Sequence, residues 1–338
     1  MSLLAPDAQA SVVYPRLHEI ERTAARLAGH ILQTPVWRWQ TGIVEQSLSP
    51  QTEVWLKLEL FQRTGSFKLR GALNCLQALD EPARQRGVVA ASAGNHAVAV
   101  AFAARAVGAH AKLAMPRHAS PVRIEACRAE GAELLLTDTV HQAFALAQKL
   151  VADDGRSMVH PFDGPRTAEG TATIGLELMR QVRGLDAVVV PVGGGGLCGG
   201  IAAAVKQINP RCDVFGVEPF GADAMYRSFQ AGHPVQLERV DTVADSLGAP
   251  YALDYSFGVC RRFVDAIVRV SDDELALAMH HLFCDMKLVA EPAAAAATAA
   301  LLGPLRERLA GKRVALIVCG TNIDAARFSE LLARAASP

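Results

Sequence analysis

Thr64-Gly65-Ser66-Phe67-Lys68-Leu69-Arg70-Gly71 is a small, polar, glycine-bearing turn that leads into a helical stretch expected over Ala72 to Leu79. Its centre is Lys68. A lysine beside a phenylalanine, behind two small residues and at the mouth of a helix, can lose part of its hydration. Desolvation disfavours the ammonium form and leaves a nucleophilic amine, which an imine-forming lysine requires. A solvated lysine in the first turn of a helix fits the same residues, and short motifs match by chance. Both readings stay open until the flanking segments are considered.

Upstream, Val54-Trp55-Leu56-Lys57-Leu58-Glu59 alternates with the pleat and reads as a strand feeding the turn. Before it, Leu17, Ile20, Ala24 and Leu27 repeat at helical spacing with Gly29 as a stop, and Gln33-Thr34-Pro35-Val36 begins an extended segment. Residues 1 to 15 show no periodicity and are expected as a surface arm. Downstream, Gly87-Val88-Val89-Ala90-Ala91 reads as a buried strand ending in Ser92-Ala93-Gly94-Asn95-His96, followed by a helix from Ala97 to Ala106. That order places backbone N–H groups at a helix N-terminus, where they bind a carboxylate-sized anion. Ser92 or Asn95 as a helix N-cap explains the same loop, and the two readings are compatible.

The βαβ rhythm continues through strand Ala111 to Met115, helix Val122 to Ala129 and strand Ala132 to Thr137. Asp153 to Gly155 and Pro161 to Pro165 form a polar, proline-bearing crossing, and a helix follows over Ala168 to Arg180. Ala187-Val188-Val189-Val190-Pro191-Val192 is the most hydrophobic strand; it enters Gly193-Gly194-Gly195-Gly196-Leu197 and a helix from Ile201 to Gln207. Successive glycines let backbone donors approach a phosphate closely. The spacing fits neither a dinucleotide loop nor a P-loop. Val214 to Pro219 and Ile267 to Val270 are further strands, residues 221 to 258 are less regular, and Ser271 to Glu274 forms a capping box for a helix to Phe283. His280 and His281 point in different directions along that helix, which argues against a paired metal site. Ala293 to Ala300 reads as a tightly packed helix, and Arg313 to Val318 as the last strand, closing with Cys319-Gly320-Thr321-Asn322.

The 338 residues are 51% hydrophobic, long enough for about two domains. Thirty-four basic and thirty-four acidic residues cancel, so no charge excess draws in nucleic acid or anionic membrane. Seven scattered Cys without a C-x-x-C pair point to reduced thiols in a cytoplasmic protein. Neither a signal peptide nor an apolar span of about 20 residues is evident. Lys68, the Ser92 to His96 loop, the Gly193 to Gly196 loop and Cys319 all fall at or just after strand C-termini, the edge where α/β sheets bind ligands. An amine, a carboxylate cradle and a phosphate cradle together describe pyridoxal 5'-phosphate and an amino acid.

Lys57 to Ala72, Ser92-Ala-Gly-Asn-His96, Pro191 to Leu197 and Cys319-Gly-Thr-Asn322 resemble, in order and over nearly the whole chain, the serine/threonine dehydratase family of fold-type II pyridoxal phosphate enzymes. Relatives that make cysteine or tryptophan have different lysine and substrate motifs. The resemblance implies an α/β fold of the tryptophan synthase beta-like type, with two open α/β domains and the cofactor in the cleft. Residues 1–80 and 163–338 would form the large domain and residues 81–162 a small mobile domain. It further implies that Lys68 holds the cofactor as a Schiff base and moves the Cα proton, and that Phe67 backs the ring. Asn95 would bond the 3-hydroxyl, while Ser92, Ala93, Gly94 and His96 supply donors to the substrate carboxylate. Gly193, Gly194, Gly195, Gly196 and Leu197 would hold the phosphate, and Cys319 would face the pyridine nitrogen.

The implied reaction is loss of water from a threonine- or serine-type hydroxyamino acid to an enamine, which hydrolyses to a 2-oxo acid and ammonia. Alternative substrates are 3-hydroxyaspartate, phenylserine or an intermediate of hydroxyectoine breakdown. Ala93 stands where racemising members have a second serine, so racemisation is expected to be poor. Glu218 and Ala222 match two ligands of the family's divalent cation site, but Ala224 replaces its aspartate. That substitution argues against the family's divalent metal, while a monovalent or weakly held ion on Glu218 and carbonyl oxygen still fits. No appended regulatory domain is expected, and analogy implies a homodimer. Two rivals are a non-catalytic binding protein that retains the cofactor and a nucleotide-dependent oxidoreductase. The latter lacks an acidic ribose-binding residue at the right distance.

Overall fold

The apolar runs form strands in two separate sheets. The computed structural model describes residues 13 to 117 and 119 to 335, so most of the expected N-terminal arm lies outside the described residues. The strands are β1 (Val36–Trp39), β2 (Glu53–Leu58), β3 (Val88–Ala91), β4 (Ala111–Pro116), β5 (Glu133–Thr137), β6 (Ser157–Met158), β7 (Ala187–Pro191), β8 (Asp213–Pro219), β9 (Ala266–Val270) and β10 (Arg313–Val318). The helices are α1 (Leu17–Leu27), α2 (Ile43–Ser47), α3 (Lys68–Gln77), α4 (Glu81–Arg86), α5 (Asn95–Val107), α6 (Pro121–Ala129) and α7 (Val140–Asp154). They continue with α8 (Pro165–Gln181), α9 (Gly196–Ile208), α10 (Ala224–Ala231), α11 (Asp254–Phe263), α12 (Asp272–Met286), α13 (Pro292–Leu302) and α14 (Ala325–Ala335).

The larger sheet runs β1-β2-β10-β7-β8-β9 and the smaller β5-β4-β3-β6. Only β1 pairs antiparallel, so the other strands of each sheet end on one edge. Strands β7 and β3 are buried along their whole length, as parallel strands covered on both faces must be. The alanine run forms α13, which packs across β7, β8, β9 and β10. Its small side chains are almost entirely buried, letting the helix lie close to the sheet.

Helix α3 connects the two sheets. Leu69, Leu73 and Leu76 enter the core around β3, β4 and α5. On its other side the buried Arg70 guanidinium bonds both oxygens of Glu59 at 2.8 Å and reaches Glu177 of α8 at 2.7 Å. Lys57 joins the same Glu177 at 2.8 Å. These bidentate, charge-assisted contacts fix the start of α3, and with it Lys68, against the end of β2.

Several boundaries differ from the sequence reading. Helix α3 begins at Lys68 itself, and α9 at Gly196, because tertiary packing outweighs the poor helix propensity of glycine. Helix α7 was not anticipated, although Thr139 and Gln142 form a capping box at its start. The segment 221 to 258 holds α10, a 3-10 turn at Asp245–Leu247 and the start of α11. Neither Ser92 nor Asn95 caps α5. Its N-cap is Gly94, and Ser92 Oγ instead accepts from the Gly94 N–H at 3.1 Å.

Candidate active site

The lysine turn and the last motif are stapled together. Parallel pairing of β10 with β2 brings Val318 level with Leu58, so the chain after each strand emerges side by side. Phe67 N donates to Cys319 O at 3.0 Å, Thr321 N to Gly65 O at 2.9 Å, and Asn322 Nδ2 to Thr64 O at 2.8 Å. Gly65 has φ +70°, and a Cβ there would lie 2.4 Å from Asn322 Oδ1. The turn therefore needs a glycine for both its backbone and its neighbour.

Lys68 lies at the wall of a cleft of about 390 Å³ between the two sheets, lined also by the Ser92 to His96 loop, the Gly193 to Leu197 loop and Cys319. Its Nζ donates to Pro161 O at 2.5 Å and sits 5.1 Å from the Phe67 ring centre. Burial pushes its ammonium down from 10.5 to about 8, with the Glu291 carboxylate opposing. About a tenth of the amine is thus neutral one pH unit below that value, far more than for an ordinary lysine.

Two sets of backbone donors point into the same cleft region. The N–H groups of Gly193 to Leu197 have no acceptor among the described residues, and they open α9. Gly194 and Gly196 tolerate no side chain: a Cβ on Gly194 would lie 2.1 Å from the Phe162 ring, and one on Gly196 2.1 Å from Phe162 O. At the start of α5 the N–H groups of Ala93, Asn95 and His96 are similarly without acceptors among the described residues. Gly94 differs, since its N–H is used by Ser92. The His96 ring is also committed: its Nε2 bonds Val159 O at 2.8 Å, which fixes the N–H there. Burial drives its pKa down to about 3, so it remains neutral.

Asn95 Nδ2 donates to Glu291 Oε1 at 2.7 Å, and its Oδ1 accepts from Asn322 Nδ2 at 2.8 Å. Glu291 is a cleft residue missed by the sequence reading. Its only sequence signal was a carboxylate before a proline-initiated helix. Its Oε2 has no hydrogen-bond partner among the described residues, with Arg123 Nη2 3.8 Å away. Burial raises its carboxyl to about 7, with Arg123 opposing. His160 was missed as well. Its Nδ1 accepts from Asp163 N at 2.9 Å, and burial lowers its pKa to about 4. The Cys319 thiol is held neutral, raised well above its usual range by burial and then by Glu291.

Glu218 and Ala222 lie elsewhere. The buried Glu218 carboxylate accepts from Met225 N at 3.0 Å and Tyr226 N at 2.6 Å, capping α10 from the preceding strand. Neighbouring Asp223 is paired with Arg227 at 2.7 Å and Arg269 at 2.9 Å. No cluster of three or more His, Cys, Asp or Glu with metal-site geometry occurs among the described residues. No described helix is long and apolar enough to cross a membrane.

A family model for "pyridoxal-phosphate dependent enzyme" matches residues 27–320. A phenylserine dehydratase of Ralstonia pickettii is 50% identical over 318 residues, 94% of this chain and 96% of that one. An L-threo-3-hydroxyaspartate ammonia-lyase of Saccharomyces cerevisiae is 34% identical over 95% of this chain and 97% of its own. Among solved structures, the processed form of threonine deaminase isoform 2 of Solanum lycopersicum superposes with a TM-score of 0.89 at 30% identity, covering 99% of both chains. The two-sheet architecture with its intervening cleft is therefore the one that the four motifs led us to expect. From the lysine turn to the last strand, this chain belongs to the fold-type II branch of the pyridoxal-phosphate dependent enzymes.

Proposed function

We propose that the protein removes water from a β-hydroxy-α-amino acid to leave an enamine, whose hydrolysis takes up water and yields a 2-oxo acid and ammonia, with Lys68 as its catalytic residue. The observation that carries this reading is the partly desolvated Lys68 amine in one cleft with two loops of unpaired N–H groups and a neutral thiol. The residues present fit pyridoxal 5'-phosphate: a glycine cradle that excludes side chains suits a phosphate, and the orphaned polar atom of Glu291 lies beside Asn95. That cofactor supplies an electron sink for charge developing at Cα.

In this reading Gly193, Gly194, Gly195, Gly196 and Leu197 hold the phosphate with backbone donors at a helix N-terminus. Phe67 backs the ring, Asn95 meets its 3-hydroxyl, and Cys319 faces its nitrogen as an uncharged partner. Ala93, Asn95 and His96 offer N–H groups to the substrate carboxylate, while Ser92 orders the loop through Gly94. Lys68 Nζ takes the Cα proton, a role for which a pKa of about 8 is well matched. We assign residues 81–162, which carry the smaller sheet, as the mobile domain that closes over substrate and excludes water. Glu218 with the Ala222 carbonyl remains the proposed place for a weakly held cation, in competition with the α10 N–H groups.

The relatives named above act on phenylserine, hydroxyaspartate and threonine, which supports a hydroxyamino acid substrate and leaves its side chain open. The test is the visible spectrum of the cofactor-loaded protein beside Lys68→Ala, with a 2-oxo acid assay on serine, threonine, 3-hydroxyaspartate and phenylserine. A band lost in the variant, with oxo acid formed by the unaltered protein, supports the reading. A normal band without oxo acid from any of the four rejects it.

A further inference from the structure

The cleft's remaining walls carry apolar side chains that the proposed chemistry does not use. Val140 and Phe144 come from α7, on the smaller sheet; Pro250 and Tyr251 come from the loop before α11, with Phe162 nearby. Val140 is 41% exposed, an apolar side chain at the start of α7 facing solvent. Tyr251 and Phe162 form a tilted aromatic pair with ring centres 6.1 Å apart. We propose that these walls form a subsite for an aryl group on the substrate β-carbon, with Val140 and Phe144 as its specificity-determining residues. The proposal rests on the dehydratase reading for the rest of the substrate.

Charge decides against a second substrate carboxylate. Lys68 is the only lysine or arginine lining the cleft among the described residues. Arg123, behind it, is committed to Asp245 at 2.6 Å and to Asn322 O at 2.9 Å. His96 and His160 already bond backbone groups and stay neutral near pH 7. A 3-hydroxyaspartate side chain would therefore be dehydrated against apolar walls, with His141 and Gln148 of α7 there in place of a lysine or arginine. A threonine methyl would leave most of the apolar wall uncovered. An aryl ring would cover it and take the exposed Val140 side chain out of solvent.

The test uses amino acids that lack the leaving hydroxyl and so bind without elimination: phenylalanine, 2-aminobutyrate and aspartate. Each is titrated into the cofactor-loaded protein while the cofactor's absorbance is followed, and the 2-oxo acid assay runs in parallel. Phenylalanine should bind at least tenfold more tightly than either of the others. Phe144→Ala should reduce that preference at least fivefold, and Val140→Ser, at an exposed position that folding tolerates, should reduce it in the same direction. Val140→Arg should shift preference toward aspartate. Equal or better binding of aspartate or 2-aminobutyrate overturns the proposal, as does an equal effect of Phe144→Ala and Val140→Ser on all three ligands. Selective phenylalanine binding without oxo acid from any hydroxyamino acid rejects the dehydratase reading and retains the aryl subsite.

Discussion

Replacing Lys68 by methionine should stabilise the cofactor-free protein while removing its nucleophile. The unfolded lysine keeps its proton up to about pH 10.5 and the folded one only to about 8. Below pH 8 both states are protonated, and the folded state bears the full penalty of a desolvated ammonium, at most about 3 kcal/mol at about 1.4 kcal/mol per pH unit of displacement. The upper bound applies because Lys68 keeps some contact with solvent in the cleft. Between pH 8 and 10.5 the unfolded state binds more protons, so wild-type stability rises with pH until the penalty is gone. Methionine has no such proton. The advantage of Lys68→Met should therefore narrow by about 2 kcal/mol between pH 7 and 9.5. Urea unfolding of both cofactor-free proteins at the two pH values measures this difference, and any gain from burying the thioether cancels because it does not titrate. A gap that stays constant with pH would refute the reasoning, since it would show that Lys68 is hydrated like a surface lysine.

Two other perturbations probe the supports of the site. Arg70→Met leaves the buried Glu59 and the partly buried Glu177 without their main cation, and should cost about 3–5 kcal/mol of stability by urea denaturation; a loss under about 1 kcal/mol would show that the network is not holding α3. Gly195→Ala forces a side chain at φ +92°, with its Cβ 2.5 Å from Met225 Cε. We expect affinity for pyridoxal phosphate to fall at least tenfold by absorbance titration, on the order of 1–3 kcal/mol of strain in the cradle; unchanged affinity would mean that the loop does not meet the phosphate.

Strand runs, capping boxes and glycine loops are local patterns, so the sequence alone was enough to read the βαβ order, the strand preceding Lys68, the Ser271 cap and the tight alanine helix. The motifs at strand ends could be assembled on one edge because parallel strands share a direction. What local pattern could not supply was the environment of each group. The depressed pKa of Lys68 comes from burial, and its amine meets Pro161 O ninety-odd residues away, a contact that no feature of its own turn shows. Glu291 enters the cleft because the start of α13 is tied to the chain after β10, its N–H donating to Gly320 O at 3.2 Å, which sets its carboxylate beside Asn95. Which backbone donors remain free was equally beyond the sequence: Gly94 proved to be engaged by Ser92, whereas Asn95 and His96 were not. Val140 and Phe144 are separated from Tyr251 by more than a hundred residues and meet only across the cleft. Sequence spacing determines which groups each loop can present; desolvation, pairing and pocket shape depend on what other elements pack against them, and only the tertiary structure decides that.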